Sequence, residues 1–378
     1  MPSDQEDRKS HNKLADWRDS CLLSSFALFL FLFRCLIYFR AKMNRLLRIF
    51  LIVVLLALSF MLAVWLNNDH SYTHDHRYAE LSLMAGMIPE EQKESIVSKF
   101  NGSSPLPPCP PTPPGLEGPL RIEFEWSRSM SDVRKASREN LHEGGRFKPL
   151  DCISRHKVAV IIPYRNRKDH LKHWLYYLHP ILKRQQVDYG VYVINQHGEG
   201  TFNRAKLLNV GYVESLKEYA YDCFVFSDVD LVPMDDRNLY RCHGEPRHMA
   251  AAMDKFGFQM PYKNYFGGVV ALSREQYMRI NGFPNNYWGW GAEDDDMHRR
   301  ITLKGMAVSR PDSRVGMYKM VRHLRDTHNE VNPQNPGQLH NTARTMDTDG
   351  INSLIYSLIK IEKDELYTMI DVDIHAPN

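Results

Sequence analysis

The sequence predicts an α/β domain built on a mostly parallel sheet, carried behind an N-terminal membrane anchor. Three observations lead there. Short apolar runs rich in Val and Ile alternate with amphipathic helical stretches between Lys157 and Pro233, the texture of strand–helix–strand units. Charged residues gather where those runs end, and α/β sheets bind their ligands beyond the carboxyl ends of the strands. Near the N-terminus, Ile49 to Leu66, "IFLIVVLLALSFMLAVWL", is an eighteen-residue run without charge. That is close to the minimum of roughly 17–25 residues for crossing a bilayer.

The bulk properties exclude little. A chain of 378 residues holds one large domain or two small ones plus appendages. The formal net charge is +3 and there is no Lys/Arg run, so nucleic acid is not an expected partner.

The anchor comes first along the chain. Arg40, Lys42, Arg45 and Arg48 precede it, and no Lys or Arg follows before Arg77. The positive-inside rule makes residues 1–48 a cytoplasmic tail, 49–66 a single-pass signal anchor of type II orientation, and the remainder lumenal. A cleaved signal peptide is the rival reading, but its apolar core is about 7–15 residues and ends at small residues. Here Trp65 and Leu66 stand at that point. A second apolar run, Cys21 to Phe39, is interrupted by Arg34; as a span it would return the large domain to the cytoplasm. "MNRLLRIF" from Met43 reads as the beginning of a type II protein by itself, so residues 1–42 are read as an alternative or mispredicted extension.

Residues 67–115 read as a lumenal stem. "SSPLPPCPPTPPG" holds seven prolines between Pro105 and Pro114, a composition that favours extended polyproline backbone. Asn101-Gly102-Ser103 is a glycosylation sequon if this side is lumenal. Beyond the anchor lie four cysteines, Cys109, Cys152, Cys223 and Cys242, an even number in a compartment that permits disulfides. With no CxxC pair, a structural zinc site is disfavoured.

The catalytic domain is expected over 116–378. "KVAVIIP" (157–163) is a strand buried on both faces. A helix follows, with Leu171, Trp174, Leu175, Leu178 and Leu182 on one face. "YGVYVINQ" (189–196) is a second strand, and "FNRAKLLNVGYVESLKE" (202–218) a second helix. "CFVFSDVDLVP" (223–233) is a third strand ending in acids. "EDDDMHRRITLKG" (293–305) is a helix with acids in its first turn, basic residues later and Gly305 as its stop.

The strand ends hold the candidate chemistry: Arg165, Asn166 and Arg167 after the first, Gln196 and His197 after the second, Asp228 and Asp230 on the third. Alternation along a strand puts both aspartates on one side. Alone, that pair reads more readily as a solvated turn. The convergence of paired arginines and paired aspartates on one rim shifts the balance toward a cation-assisted diphosphate site. No GxxxxGK[ST], GxGxxG or G-x-S-x-G sequence is present, which disfavours P-loop enzymes, dinucleotide-binding dehydrogenases and serine hydrolases of that type. In "NNYWGWGAEDDD", glycine-flanked Trp288 and Trp290 precede four consecutive acids. Aromatic faces stack on the C–H faces of sugars and carboxylates accept from hydroxyls, so the segment reads as a sugar site with one carboxylate as general base. Met320 and His323 lie three apart; thioether softness alone would not select Met320 for Mg²⁺ or Mn²⁺.

"FNRAKLLNVG", "FSDVDLVP", "YFGGV", "NGFPNNYWGWGAEDDD" and the downstream Met320 and His323 together resemble the β-1,4-galactosyltransferases, with the members that make Galβ1-4GlcNAc on glycoproteins and, with α-lactalbumin, lactose as the nearest in pattern. The likeness runs from about Pro107 to the C-terminus. It implies a GT-A glycosyltransferase fold, Mn²⁺ dependence, a UDP-galactose donor, GlcNAc-terminated acceptor glycans and a Golgi membrane location. Carried over, Asp230, Met320 and His323 would be the manganese ligands. Pro163, Tyr164, Arg165, Asn166 and Arg167, then Phe202, Asn203 and Arg204, then Asp228, Val229 and Asp230, with Trp290 and His323, would line the donor site. Ala292, Glu293, Asp294, Asp295 and, at a position where close relatives carry Arg, Asn335 would meet the acceptor, with Asp294 the base for its O4 hydroxyl and Glu293 assisting. The family inverts at the anomeric carbon, which implies one in-line displacement. It also implies disulfides Cys109–Cys152 and Cys223–Cys242, a Trp290 loop that swings over bound donor, and a segment after His323 that refolds with it.

Two positions depart from the family pattern. Ala292 follows Gly291 where Gly-Gly is usual, and a methyl group there would crowd the acceptor or restrict the backbone. Asn335 and Pro336 stand where close relatives carry Arg and Phe, the arginine contacting the acceptor's N-acetyl region. Competing expectations follow: glucose on ceramide or xylose as acceptor, or a surface lectin that binds sugar without turning it over. The complete Asp230, Met320, His323 set argues against the lectin.

Overall fold

The computed structural model describes residues 106–324 and 326–377. These fall within one unit spanning Ser103–Asn378. The expected tail, anchor and most of the stem lie outside the described residues. Among the described residues, no helix is long and apolar enough to cross a membrane.

After a short helix α1 (Met130–Ser137), the predicted alternation begins: β1 (Lys157–Tyr164), α2 (Lys168–Arg184), β2 (Asp188–Gln196), α3 (Arg204–Glu218) and β3 (Cys223–Ser227). β1 pairs in parallel with β2 from Lys157↔Asp188 to Tyr164↔Asn195, and with β3 on its other side. Because successive side chains alternate, β1 feeds two cores. Val158, Val160 and Ile162 pack with Trp174, Leu175 and Leu178 of α2; Ala159 and Ile161 pack with Leu207, Leu208 and Val210 of α3. The apolar run Val158 to Pro163 is thereby buried on both faces, as its sequence requires.

The third strand is shorter than the sequence implied. β3 stops at Ser227. There Asp228 N donates to Gly268 O at 3.0 Å, Leu231 N returns to Asp228 O at 3.4 Å, and the chain restarts as β4 (Leu231–Pro233) in a different sheet. Asp228 and Asp230 therefore belong to a turn between sheets, and strand alternation does not orient them.

The remaining strands are β5 (Arg247–His248), β6 (Ala252–Met253), β7 (Val269–Ser273), β8 (Met317–Met320), β9 (Ser357–Lys363) and β10 (Thr368–Asp373). The main sheet runs β5-β7-β3-β1-β2-β10-β9, and the small one β4-β8-β6. Four central strands are parallel, whereas β7 and β9 run antiparallel to their inner neighbours, so the sheet is mixed. Helices α4 (Arg274–Arg279), α5 (Glu293–Leu303), α6 (Asn335–Leu339) and α7 (Thr342–Thr345), with two 3₁₀ turns (Asp254–Phe256 and Ile351–Ser353), complete the described elements.

The Pro-rich stretch is tied to this unit well before residue 116. Ile153 N donates to Pro107 O and Cys109 N to Ile153 O, each at 2.8 Å. Both implied disulfides are formed, Cys109–Cys152 with Cα atoms 4.9 Å apart and Cys223–Cys242 at 5.5 Å.

Candidate active site

The carboxyl ends of β1 and β3, the start of α3 and the start of α5 converge. Asn203 caps α3: its Oδ1 accepts from Lys206 N at 2.9 Å and its Nδ2 donates to Asn285 O at 2.7 Å. Fully buried, it shapes the donor region and offers it no free amide. The cap aims Arg204 across the site. Its Nε donates to Asp228 Oδ1 at 2.6 Å and its Nη1 lies 3.6 Å from Glu293 Oε1. Burial alone would lower the Arg204 pKa, but Asp228 and Glu293 hold it above the ordinary value. One guanidinium thus links the strand-end acid to the helix-start acid.

The small sheet assembles the other half. Leu231 of β4 pairs with Met320 of β8, and Val321 N donates to Asp230 O at 2.8 Å. That register brings His323 Nε2 to 2.9 Å from Asp230 Oδ2, a hydrogen bond that raises the histidine pKa. A carboxylate oxygen and an imidazole nitrogen converging on one point are donors suited to a divalent first-row cation. Among the described residues, no group of three or more His, Cys, Asp or Glu is placed to hold a metal. A complete site there would need the Met320 thioether and oxygens of the ligand itself. The residues fit Mn²⁺ on those terms.

The β1 end is held from the segment after His323. Arg167 Nε donates to Asp326 Oδ2 at 2.9 Å, Arg165 Nη2 to Thr327 O at 3.3 Å, and Phe202 N to His328 O at 2.8 Å. Asn166 takes a left-handed conformation, φ 53°, in the turn between them. Pro163 and Val229 are buried and Tyr164 half-buried. These side chains form the floor of the site.

α5 opens with the acidic block. Its four acids occupy the first turn, where the helix dipole favours negative charge. They diverge in role. Asp296 is buried and accepts from Arg300 Nε at 2.6 Å, Tyr287 OH at 2.9 Å and Thr342 Oγ1 at 2.8 Å, so it anchors the helix. Asp295 accepts from Tyr262 OH at 2.9 Å. Asp294 lies deep beside Gly267 and Tyr265, with Asp295 N donating to its Oδ1 at 3.0 Å. Burial first, then the charges of Glu293 and Asp295, push the Asp294 pKa up to about 8. A carboxylate poised there is a competent base near neutral pH.

Two expectations need correction. Trp288 does not form an open sugar platform: it packs against the second core, with Lys206 Nζ 5.5 Å from its ring. Asn335 is fully buried, and its Nδ2 donates to Gly291 O at 3.0 Å and Trp288 O at 3.3 Å. It clamps the backbone on both sides of Trp290, and no part of it faces the acid block as an acceptor contact would. Trp290 itself is 53% exposed and is tied by its backbone to Glu330 and Asn332.

Three residues near the chemistry escaped the sequence reading. Tyr262 and Tyr265 stack edge-on, ring centroids 5.4 Å apart, against the acid block. His170 lies with its ring 5.1 Å from that of His323. The tyrosines precede the quoted "YFGGV" pattern or stand in it, which was the available signal; a buried histidine on α2 gave none.

Comparison with known proteins agrees with this geometry. Residues 109–243 match the family described as the N-terminal region of glycosyl transferase group 7, and residues 247–324 that described as the N-terminal domain of galactosyltransferase. Mus musculus β-1,4-galactosyltransferase 1 is 58% identical over 272 residues, covering 72% of this chain and 68% of that protein. Homo sapiens β-1,4-galactosyltransferase 2 is 61% identical over 269 residues, covering 70% and 72%. The crystal structure of Drosophila β-1,4-galactosyltransferase 7 with xylobiose aligns with a TM-score of 0.51 at 28% identity, covering 59% of this chain and 95% of that one. A mutant of that enzyme in complex with manganese, UDP-Gal and xylobiose aligns at 0.50 and 29%, with the same coverage. The fold is GT-A-like, and the chain belongs to the β-1,4-galactosyltransferase family of enzymes.

Proposed function

We propose that this chain is a type II Golgi membrane enzyme that transfers galactose from UDP-galactose, with inversion, to O4 of terminal GlcNAc on glycoprotein glycans. The observation that carries the reading is Asp294, a half-buried carboxylate at the start of α5 whose pKa is pushed up to about 8, next to Glu293, which lies 3.6 Å from the Arg204 that binds Asp228.

In this reading the donor diphosphate lies among Arg165, Arg167 and Arg204, whose guanidinium forks suit phosphate oxygens. Mn²⁺ held by Asp230, Met320 and His323 would supply positive charge to the departing UDP. Asp294 takes the proton of the acceptor hydroxyl as that oxygen bonds to the anomeric carbon. The bond to UDP breaks on the opposite face, so configuration inverts. Glu293, already near Arg204, orients the two sugars. Trp290 covers the donor while Asn335 holds its loop.

Ala292 favours a second acceptor reading. It adopts φ 71°, ψ 0°, a conformation that suits glycine, and its methyl group stands at the mouth of the acid block. A smaller acceptor such as xylose, or glucose on ceramide, would meet less obstruction. The full chain supplied with UDP-galactose, Mn²⁺ and in turn GlcNAc, xylose or glucosylceramide separates these readings by product linkage. Efficient β1-4 transfer to GlcNAc supports the first; transfer confined to another acceptor refutes it and keeps the donor assignment.

A further inference from the structure

β9 (Ser357–Lys363) is the last strand of the main sheet, and among the described residues no strand pairs with its outer edge. It is uncovered on both faces as well: every residue from Ser357 to Lys363 is exposed. Its composition does not suit that position. Ile355, Leu358, Ile359 and Ile361 are 46–66% exposed, four large apolar side chains within seven residues. A bare edge of this kind is a template for another strand, and soluble proteins ordinarily guard it with lysines. Here Lys360 is neutralised by Glu362 and Lys363 by Glu218, the latter at 2.5 Å. Galactosyl transfer makes no use of the strand. β10 and β2 stand between it and β1, whose carboxyl end belongs to the transfer site.

The charge order along the strand says what fits there. Two copies of one strand lie side by side, antiparallel, only about a two-fold axis normal to the sheet, and the residue at that axis meets its own copy. Regular pairing runs from Lys360 to Lys363, because Ile359 is the extra residue of a bulge: Lys360 pairs with Asp371 and Leu358 with Val372. An axis at Lys360 or Lys363 sets two ammonium groups face to face, and an axis at Glu362 two carboxylates. Like charges directly opposite are destabilising. An axis at Ile361 does the reverse. Ile361 meets Ile361, and on each side of it Lys360 lies opposite Glu362 of the other copy. The ion pair now made within one strand, by side chains 60% and 59% exposed, becomes a ring of four alternating charges.

We propose that β9 is a self-association edge, which pairs antiparallel with β9 of a second copy of this chain, Ile361 on the two-fold axis, and joins two seven-stranded sheets into one. The contact is isologous, so it closes at two copies. Main-chain hydrogen bonds along the edge supply the affinity, as in other strand additions, and the Lys360–Glu362 pairs fix the register. An edge this short buries less than a standard interface. The dimer is therefore weak, with a Kd of roughly 1–100 μM.

Register-specific crosslinking of the full chain in detergent tests this. A Cys21→Ser, Cys35→Ser background leaves only cysteines that are held in disulfides. Residues directly opposite have Cα atoms about 4.5–5.5 Å apart, a span that a disulfide bridges, whereas diagonal neighbours stand about 7–8 Å apart. Ile361→Cys alone should therefore give a covalent dimer under mild oxidation. Lys360→Cys alone should give about tenfold less, and Lys360→Cys mixed with Glu362→Cys should recover the yield. Sedimentation supplies a measurement free of new cysteines. Lys360→Glu sets acid opposite acid and should raise the dimer Kd about tenfold, and combining it with Glu362→Lys should restore the wild-type value. Thermal melting checks that each variant is folded. Crosslinking of Ile361→Cys no greater than that of Lys360→Cys overturns the proposal. So does a monomer at about 100 μM, which would leave the edge to another segment of the same chain, or a dimer indifferent to both charge variants, which would move the contact elsewhere.

Discussion

Gly267 stands where any side chain would strike Asp294. A β-carbon at this position would collide with the carboxylate Oδ2 and with the Tyr265 hydroxyl. Gly267→Ala therefore displaces the base while leaving Asp230 and Arg204 in place. Misplacing a catalytic group by about 1 Å costs on the order of 100-fold in rate. Steady-state kinetics should show a kcat loss of that order with little change in UDP-galactose affinity.

The raised Asp294 pKa makes opposite demands on activity and stability. The base must be ionised, so kcat/KM should climb with pH and level above about 8. Folding runs the other way. The folded pKa is raised above the unfolded value of about 3.9, so the contribution to stability is complete below that value and is lost as pH rises through about 8. Asp294→Asn escapes the loss. Thermal melts should find the variant more stable than wild type by a margin of several degrees that widens between about pH 4 and 8.

Ala292 pays a conformational penalty at φ 71°. A left-handed L-residue costs about 1–2 kcal/mol, part of which glycine returns through greater freedom in the unfolded chain. Ala292→Gly should stabilise the protein by about 0.5–1 kcal/mol in denaturant titrations. If the methyl group also crowds GlcNAc, KM for GlcNAc falls with it.

Asn335→Ala removes the amide that joins Trp288 O to Gly291 O. Gly291 O then loses this donor, and an unpaired polar group costs about 1–3 kcal/mol, while Trp288 O still accepts from Asn332 Nδ2 at 2.9 Å. Hydrogen exchange across residues 288–292 should accelerate, and kcat should fall with the loop less often in place. Unchanged exchange there would remove Asn335 from any role in holding Trp290.

The sequence was legible where periodicity is strong. β1, β2, α3 and α5 stand within about two residues of their expected bounds and α2 buries its expected face; apolar patterning marked all but α5, which was legible from its acid-to-base charge order. The small sheet left no such trace: β6 has two residues and β4 three, and their pairing with β8 joins positions far apart in the chain. The insertion of β10 beside β2 is equally non-local. Within the site, Asp230 was legible as charge at a strand's end, His323 by its spacing from Met320, and Arg204 only through the family resemblance. Asn335 was placed at the acceptor by the resemblance, and its burial against the backbone carbonyls of Trp288 and Gly291 left no trace in the sequence. Tyr265 was passed over since an aromatic residue before Gly-Gly reads as packing until its neighbours are known.

The role of Asp294 as base is the centre of the account, and a single-turnover experiment addresses it most directly. Enzyme preloaded with UDP-galactose and Mn²⁺ is mixed with GlcNAc, the acceptor proposed above, and product is followed in wild type and Asp294→Asn. The account predicts unchanged donor binding and a transfer rate lower by about 100-fold to 10,000-fold, the usual worth of general-base catalysis. A transfer rate within about twofold of wild type, with the same linkage formed, would contradict it.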